Sequence, residues 1–418
     1  MKKILGIFIL VTFGLALLQC NGSTESINQQ QPIDDPVRTP SQLTAEESSL
    51  LQSSNKFGFT LFNKIVEGSQ LDSNVFVSPL SASYALAMTW NGAANETREA
   101  MSNALQLSGL SVEEANQAYR NLTAILNDVD PSVDLNIANS IWCRDDVAVS
   151  EAFVDLNKTY FDALVSTLDF GAADAADIIN AWVDEETNGK IDQIVDPPIS
   201  RDVIMYLMNA VYFKALWTQP FDTLNTTEAQ FRLAGGGRVN CGMMHLRDTL
   251  PVLATDEFIA VRLPYGDEGF CATFMLPDED YSVEALAASI TDENWATWSD
   301  AFEPEPVELG LPRFKFPYEI SMKGVLKEMG MEIAFTDAAN FSNMITDGSA
   351  FIEDVIHKAF VQVDELGTEA AAVTLVVIVR TSIGPGPTFD RPFLLVISEK
   401  ESGAVLFMGK IANPVWEE

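Results

Sequence analysis

The sequence predicts an α/β domain with a large buried core, and two features of the chain indicate this fold class. Hydrophobic residues make up 47% of the 418 residues, and 25 Phe with 7 Trp suit an interior built from both helices and sheets. The run from Leu375 to Val379 is apolar throughout and rich in β-branched residues. Such a run is typical of a strand that is buried on both faces of a sheet.

The residues on either side of this run are unusual for a buried strand. A charged turn leads into small residues over Glu365-Leu366-Gly367-Thr368-Glu369-Ala370-Ala371-Ala372-Val373-Thr374. If Thr368 faces the core, the two-residue period of a strand also turns Ala370, Ala372 and Thr374 inward, and it turns Glu369 outward. After the run, Arg380-Thr381-Ser382 and Gly384-Pro385-Gly386-Pro387 cannot continue a central strand and predict an exposed loop.

The segment 365–374 resembles the hinge of inhibitory members of the serpin family, Glu-x-Gly-Thr-Glu-Ala-Ala-Ala-x-Thr, which precedes a loop that serves as bait for proteases. Other landmarks of the family follow in order from about residue 50 to the C-terminus: Asn74-Val75-Phe76-Val77-Ser78-Pro79-Leu80-Ser81, Asn209 to Trp217, Leu311 to Phe314, Gly324 to Met331, Phe389 to Phe393 and Gly409 to Pro414. The resemblance implies one domain with a large central sheet, two smaller sheets, surrounding helices and an exposed reactive-centre loop over about 366–388.

The function that this resemblance implies is suicide inhibition of serine proteases, with cysteine proteases as a second class of target. In the family, the cleaved loop inserts into the large sheet as an additional strand and the acyl-enzyme is trapped. The alternatives are a carrier or chaperone that does not inhibit, and a surface-binding or storage protein. The small hinge residues favour the inhibitor, because carriers of this fold often have bulky or charged residues there.

The spacing usual in the family places the reactive bond between Thr381 and Ser382, with Gly367 as the fifteenth residue before the cut. The bond Arg380-Thr381 lies one residue earlier and is an obvious site for a trypsin-like protease. Thr381 instead suits the small pocket of an elastase-like protease. Both bonds are candidates, and the expected partner is a trypsin-like or elastase-like serine protease in a covalent complex with a monomeric inhibitor.

A second group of residues is expected to hold the central sheet closed until the loop inserts. In the family, the histidine eight residues before the hinge glutamate belongs to a buried hydrogen-bond cluster, and here that histidine is His357. The residues that the resemblance assigns to this region are Asn74, Ser78, Pro79, Ser81, Asn209 and Trp217, of which Asn74, Ser81 and Asn209 are the expected partners of the imidazole. A neutral imidazole can link such groups without placing a net charge in the core.

Residues 1–19 predict a secretory signal, since Lys2-Lys3 precede an apolar run, Ile4 to Leu18, that is too short for a membrane span. The following Cys20 lies at what resembles a bacterial lipoprotein cleavage site. Gln19 replaces the usual small residue there and leaves plain secretion as the alternative. Residues 20–48 are rich in Ser, Gln, Thr and Pro and predict a flexible tether. The folded domain is then 49–418, on a secreted protein anchored to a bacterial membrane or cell surface.

The charge and the residue content exclude several functions. A net charge of -35 repels nucleic acid and anionic polysaccharide. The helical stretch 112–129, which corresponds to the helix that binds heparin-like cofactors in some relatives, has Arg120 as its only cation, so we expect no such cofactor. The chain has only two histidines, His245 and His357, and no nucleophile or phosphate-binding motif, which predicts neither a metal site nor an enzyme.

Besides Cys20, the chain contains Cys143, Cys241 and Cys271. An odd number of cysteines cannot form a complete disulfide framework. Their apolar, strand-like surroundings predict buried free thiols, with one disulfide pair as the alternative.

Overall fold

The computed structural model describes residues 39–347, 349–368 and 386–417. The α-helices in these ranges are α1 (Ala45–Gly68), α2 (Pro79–Gly92), α3 (Asn95–Ala104), α4 (Val112–Asp128), α5 (Glu151–Phe161), α6 (Ala175–Glu186), α7 (Val283–Ser289), α8 (Asp292–Asp300) and α9 (Lys323–Leu326). The strands are β1 (Val75–Val77), β2 (Asp134–Arg144), β3 (Leu164–Leu168), β4 (Met205–Leu216), β5 (Thr227–Arg232), β6 (Arg238–Ala254), β7 (Phe258–Tyr265), β8 (Phe270–Pro277), β9 (Glu303–Pro312), β10 (Phe314–Ser321), β11 (Ile356–Val363), β12 (Gly367–Thr368), β13 (Phe393–Glu399) and β14 (Val405–Ile411).

A six-stranded sheet has the order β10-β11-β12-β4-β2-β3. Strand β2 is antiparallel to β4 from Asp134 to Cys143 and parallel to β3, whereas β10 and β11 form an antiparallel pair along their whole length. In the part of the chain that the structure describes, the two halves of this sheet are joined only by the two residues of β12. Among the described residues, no other strand pairs with β11 or β4 in the space that follows β12.

An eight-stranded sheet has the order β1-β14-β13-β8-β7-β6-β5, with β9 also paired to β6. Strand β6 is 17 residues long and pairs with β5, then β9, then β7. At about 3.3 Å per residue it is long enough to take part in two groups of strands. The two smaller sheets that the sequence predicts are therefore continuous through β6 among the described residues.

Helix α2 is buried on almost every side, and it contacts β4 of one sheet and β14 of the other. A helix that is apolar all round belongs in the interior of a large protein. The helix begins at Ser78, whose Oγ accepts a hydrogen bond from the backbone N–H of Ser81 at 3.2 Å, and Pro79 occupies the first helical turn. The motif 74–81 thus brings the start of α2 beneath the six-stranded sheet.

The predicted tether ends earlier than residue 48. Helix α1 begins at Ala45 with a capping box, in which Thr44 Oγ1 accepts from the Glu47 N–H and Glu47 Oε2 accepts from the Thr44 N–H. Glu47 is buried and also accepts from Asn121 Nδ2 at 2.6 Å. The boundary at 48 is therefore wrong. The predicted signal 1–19 and most of the tether lie outside the described residues.

The described ranges contain neither a candidate membrane span nor a candidate metal site. No helix there is long and apolar enough to cross a bilayer. No group of three or more His, Cys, Asp or Glu side chains in those ranges is arranged to hold a metal ion.

Candidate functional site: the hinge and the sheet gap

The connection between β11 and β12 is a tight turn over residues 364–367, which we call the hinge turn. The Asp364 N–H donates to the Gly367 carbonyl at 3.0 Å, and Asp364 Oδ1 accepts from the N–H groups of Leu366 and Gly367 at 2.9 and 3.3 Å. Aspartate favours turns because its side chain can accept these bonds. A Cβ added to Gly367 would overlap the carbonyl oxygen of Ala215, so the close approach of β12 to β4 requires glycine.

Thr368 continues the turn into the sheet. It pairs with Val363 of β11 and Ala215 of β4, and it is buried. Its Oγ1 lies 2.5 Å from the hydroxyl of Tyr265. Burial raises the pKa of Tyr265 well above its ordinary value, so this hydroxyl stays protonated. Thr368 thus meets the condition on which the inward alternation of the hinge residues depends.

Trp217 follows the end of β4 and holds the hinge turn from beneath. Its indole Nε1 donates to the Asp364 carbonyl at 2.9 Å, and its backbone N–H donates to the Leu366 carbonyl at 2.8 Å. The indole ring stacks on Tyr265, with ring centroids 4.5 Å apart. Trp217 therefore lies where β12 enters the six-stranded sheet.

Glu365 is almost fully buried at the outer side of the hinge turn. Its Oε1 accepts from Thr226 Oγ1 at 2.7 Å and lies 3.9 Å from Arg313 Nη1. Its carbonyl accepts from the Phe221 N–H at 2.8 Å. Thr226, Phe221 and Arg313 come from distant segments, and no motif in the sequence connects them to the hinge.

A small cavity lies beside Thr368. Its lining includes Val211 of β4, Phe360 of β11, Phe76 and Phe407. The space is about 20 Å³, enough for roughly one water molecule. Lys190, from the segment after α6, also lines this cavity, with its Nζ 5.3 Å from the centroid of the Phe360 ring.

His357 lies on the buried face of β11 and contacts the start of α2. Its Nε2 accepts from the Ser78 N–H at 3.1 Å, and Ser78 Oγ donates to the Leu406 carbonyl at 2.8 Å. A backbone N–H can only donate, so Nε2 carries no proton and the neutral ring has its proton on Nδ1. Burial lowers the pKa of His357 to about 4, which keeps the ring neutral at physiological pH.

The expected partners of His357 are only partly brought together. Ser81 Oγ donates to the backbone carbonyl of Asn209 at 3.3 Å, while the Asn209 side chain donates to Asn139 Oδ1 at 2.8 Å. Asn74 instead caps the end of β14: its Oδ1 accepts from the N–H groups of Ala412 and Asn413 at 2.9 and 2.8 Å. The prediction that Asn74 hydrogen-bonds within the His357 cluster is wrong, because the pairing of β1 with β14 places Asn74 beside Ala412 and Asn413.

The other end of the reactive-centre loop is fixed by residues 386–391, which we call the C-terminal anchor. The Gly310 N–H donates to the Pro387 carbonyl at 3.0 Å, and the Phe389 N–H donates to the Gly310 carbonyl at 2.8 Å. Arg232 pairs with Asp390 at 3.2 Å and with Glu279 at 2.8 Å. These contacts attach the anchor to the eight-stranded sheet.

Several predicted residues lie outside the described ranges. They are the hinge residues Glu369, Ala370, Ala371, Ala372 and Thr374, the residues of the candidate reactive bonds, Arg380, Thr381 and Ser382, and Cys20. Cys143, Cys241 and Cys271 are described: all three are buried and free, which confirms the prediction of unpaired thiols. Burial raises the pKa of the Cys143 and Cys241 thiols to about 11.

A short strand that lies between two strands of a large sheet and leads directly into the hinge sequence is the arrangement expected of a loop that inserts. A family model described as "Serpin (serine protease inhibitor)" matches residues 52–414. This chain belongs to the serpin family. An uncharacterized serpin-like protein of Methanosarcina acetivorans is 31% identical over 384 residues, which cover 90% of this chain and 88% of the relative. The leukocyte elastase inhibitor of Xenopus laevis is 32% identical over 370 residues, 86% of this chain and 97% of the relative.

Solved structures show the same fold. The thermophilic serpin tengpin in its native state matches with a TM-score of 0.80 and 31% identity, over 89% of this chain and 95% of tengpin. Human thyroxine-binding globulin complexed with thyroxine matches with a TM-score of 0.81 and 28% identity, over 89% of this chain and all of the globulin. The predicted serpin fold is confirmed. Serpins are protease inhibitors rather than enzymes and generally form complexes with serine proteases, although the same fold occurs in a thyroxine-binding protein.

Proposed function

We propose that this serpin is a suicide inhibitor of serine proteases that traps its target by inserting the cleaved reactive-centre loop into the six-stranded sheet. The proposal rests on the position of β12 between β11 and β4. Gly367 and Thr368 form a short strand between β11 and β4, directly before the rest of the hinge. Except for Glu369, the hinge residues that follow along the chain are small, and their sequence suits the continuation of that strand.

The chemistry of the first step belongs to the protease. Its nucleophile attacks the reactive bond and forms an acyl-enzyme, whose hydrolysis requires an intact base and oxyanion hole. If the freed hinge inserts first, a strand of about 15 residues at about 3.3 Å each moves the attached protease by roughly 50 Å. The pull on the acylated residue then distorts the oxyanion hole and the ester persists. A cysteine protease forms a thioester by the same route and is trapped in the same way.

The driving force is the burial of the loop strand. In the proposed mechanism, the inserted strand pairs with the backbones of β11 and β4, and its inward side chains become buried beneath the sheet. Burial of one large aliphatic side chain contributes about 1.5–3 kcal/mol. The six large aliphatic residues Val373 and Leu375 to Val379 together supply on the order of 10 kcal/mol, even though only some become fully buried.

Two bonds are proposed as reactive. Cleavage at Thr381-Ser382 suits an elastase-like protease, and the likeness to a leukocyte elastase inhibitor supports that class of target. Cleavage at Arg380-Thr381 suits a trypsin-like protease, whose pocket has a carboxylate at its base. A shift by one residue shortens the inserted strand only slightly, so both proteases are expected to be trapped.

The test is incubation of the protein with trypsin-like and elastase-like proteases, followed by denaturing gels. We expect a covalent complex that survives denaturation, containing one protease and one serpin. Mass spectrometry of the released C-terminal peptide should show Ser382 as its first residue with elastase-like enzymes and Thr381 with trypsin-like ones. Loop cleavage by every protease without any complex would instead indicate a carrier of this fold. Arg380→Ala should abolish only the trypsin-like complexes.

We also propose that the mature protein is monomeric and is anchored to a bacterial membrane through a lipid on Cys20. The support is the sequence alone: a short signal, the cysteine that follows it and a polar segment before the first helix. Full-length protein should partition into a detergent phase, and Cys20→Ser should move it to the aqueous phase. Equal partitioning of the two proteins would make this a plain secreted serpin.

A further inference from the structure

Arg313 lies between the hinge turn and the C-terminal tail. Its Nη1 is 3.9 Å from Glu365 Oε1, and its guanidinium carbon is 4.8 Å from the centroid of the Trp416 ring. The Arg313 backbone is fixed by a hydrogen bond from its N–H to the Gly242 carbonyl at 2.9 Å. One cation therefore connects residue 416 to the buried carboxylate that holds the hinge.

The tail is itself fixed beside the first residues of β10. The Lys315 N–H donates to the Val415 carbonyl at 2.8 Å, and the Glu417 N–H donates to the Lys315 carbonyl at 2.9 Å. Trp416, between these two bonds, forms a parallel bridge with Lys315. Backbone hydrogen bonds on both sides thus fix the backbone of Trp416 beside β10, and 39% of the residue is exposed.

The ion pair of Arg313 and Glu365 would be weak without this support. The Arg313 side chain is 43% exposed, and an arginine free to move in water loses rotamer entropy when it is held against one carboxylate. An aromatic face attracts the guanidinium and restricts it before the ion pair forms. The Glu365 side chain is only 10% exposed, so the cost of burying its carboxylate is offset only by the few donors and cations that reach it.

We propose that Trp416 is a positioning residue for the hinge: its ring holds Arg313 against Glu365, and the C-terminal tail thereby controls how firmly β12 stays in the sheet. This rests on the proposed function and names a residue that regulates it. Because Glu365 fixes the hinge turn, loss of the indole face lets Gly367 and Thr368 leave the sheet more often. Insertion after cleavage then starts from a less ordered hinge, and a larger share of the protease escapes by deacylation.

The test compares Trp416→Leu with Trp416→Phe in the full-length protein. Leucine keeps an apolar side chain but removes the π face, whereas phenylalanine keeps the face. The first readout is amide hydrogen exchange of Trp217 and Phe221, whose N–H groups are bound to the Leu366 and Glu365 carbonyls. We expect exchange to be roughly two- to fivefold faster in Trp416→Leu, as fits the size of a cation–π contact, and close to wild type in Trp416→Phe.

A second readout is the number of inhibitor molecules consumed per protease trapped, which should rise by a similar factor in Trp416→Leu alone. In an Arg313→Met background, Trp416→Leu should change neither readout, because the cation that it positions is gone. Unchanged exchange in Trp416→Leu, equal effects of leucine and phenylalanine, or a full effect in the Arg313→Met background would each overturn the proposal. Hydrogen exchange needs no protease, so it decides the hinge contact even if the protein proves to trap none.

Discussion

The two ends of the reactive-centre loop are attached to different sheets by different forces. At the N-terminal end, the hinge turn and β12 are held by backbone pairing and by neutral, buried hydrogen bonds to Trp217 and Tyr265. At the C-terminal end, residues 386–391 are held by the bridge between Gly310 and Thr388 and by the ion pairs of Asp390 and Arg391. Those ion pairs lie at the surface, where their side chains are partly exposed.

This difference fits the proposed function. If the loop inserts between β11 and β4, it must bring only small or neutral side chains under the sheet, because an unpaired charge there would be buried. In that mechanism the C-terminal end stays outside the six-stranded sheet, so it can be fixed by charged groups at the edge of the other sheet. Cleavage between the two ends should therefore release only the N-terminal part, while the C-terminal part stays attached.

The largest expected effect is a gain of stability after the loop is cut. Limited proteolysis near residue 380 should raise the melting temperature, since insertion of the strand adds on the order of 10 kcal/mol of burial. We expect an increase on the order of 10 °C, measured by calorimetry or circular dichroism before and after cleavage. An unchanged or lower melting temperature would show that the N-terminal end does not insert.

A positive charge should act very differently at the two ends. Thr368→Arg places a cation beside Tyr265 under the sheet, where an unpaired charge costs about 3–5 kcal/mol. Trapping should fall by on the order of 100- to 1,000-fold and the variant should be cleaved as a substrate, as seen on denaturing gels. Thr388→Arg, the matched change in the exposed part of the C-terminal anchor, should trap protease like the wild type. The same loss of trapping in both variants would contradict the difference between the two ends.

The two ends can also be compared through the pH dependence of stability, because each has a histidine nearby. His357 lies beneath the six-stranded sheet, and His245 pairs with Gly310 near the C-terminal anchor. Burial lowers the pKa of His357 from 6.5 to about 4, so the unfolded chain binds this proton more tightly than the folded one. As the pH falls from 6.5 to 4, the free energy of unfolding should drop by about 3 kcal/mol on account of this group. Denaturant unfolding should show that His357→Gln lacks this part of the drop. If His245→Gln removed it instead, the buried imidazole would not be its cause.

The hinge could be predicted from the sequence because its requirements are local. Gly367 is needed for the close approach to β4, and Thr368 is small enough to pack against Tyr265; both are visible as residue types next to a β-branched run. The capping box that starts α1 was equally local, since Thr44 and Glu47 have the expected spacing. It was missed because the Ser- and Thr-rich composition around it favoured a tether.

The contacts that hold the hinge could not be predicted in this way. Arg313 reaches Glu365, and Trp416 reaches Arg313, only because β10, the tail and the hinge turn meet in the folded protein. The same applies to Asn74, whose partners were decided by the pairing of β1 with β14 rather than by its place in a motif. Residue type and spacing thus predict which segment inserts, whereas tertiary packing decides which side chains hold it.

The smallest expected effect is a difference in salt dependence between the interactions that hold the two ends. The neutral pair of Tyr265 and Thr368 should contribute about 1 kcal/mol, measured as the coupling between Tyr265→Phe and Thr368→Val in denaturant unfolding. Since the pair is buried and uncharged, that coupling should be the same in about 0.05 M and about 0.5 M salt. Surface charges become screened between these concentrations, at roughly 0.1 M.

The matched pair at the other end is charged. Arg232 and Asp390 have side chains that are 37% and 34% exposed, so Arg232→Gln and Asp390→Asn should couple by at most about 1 kcal/mol. Their coupling should shrink at the higher salt concentration. A hinge coupling that weakens with salt, or an anchor coupling that does not, would mean that the two ends are held by the same kind of force.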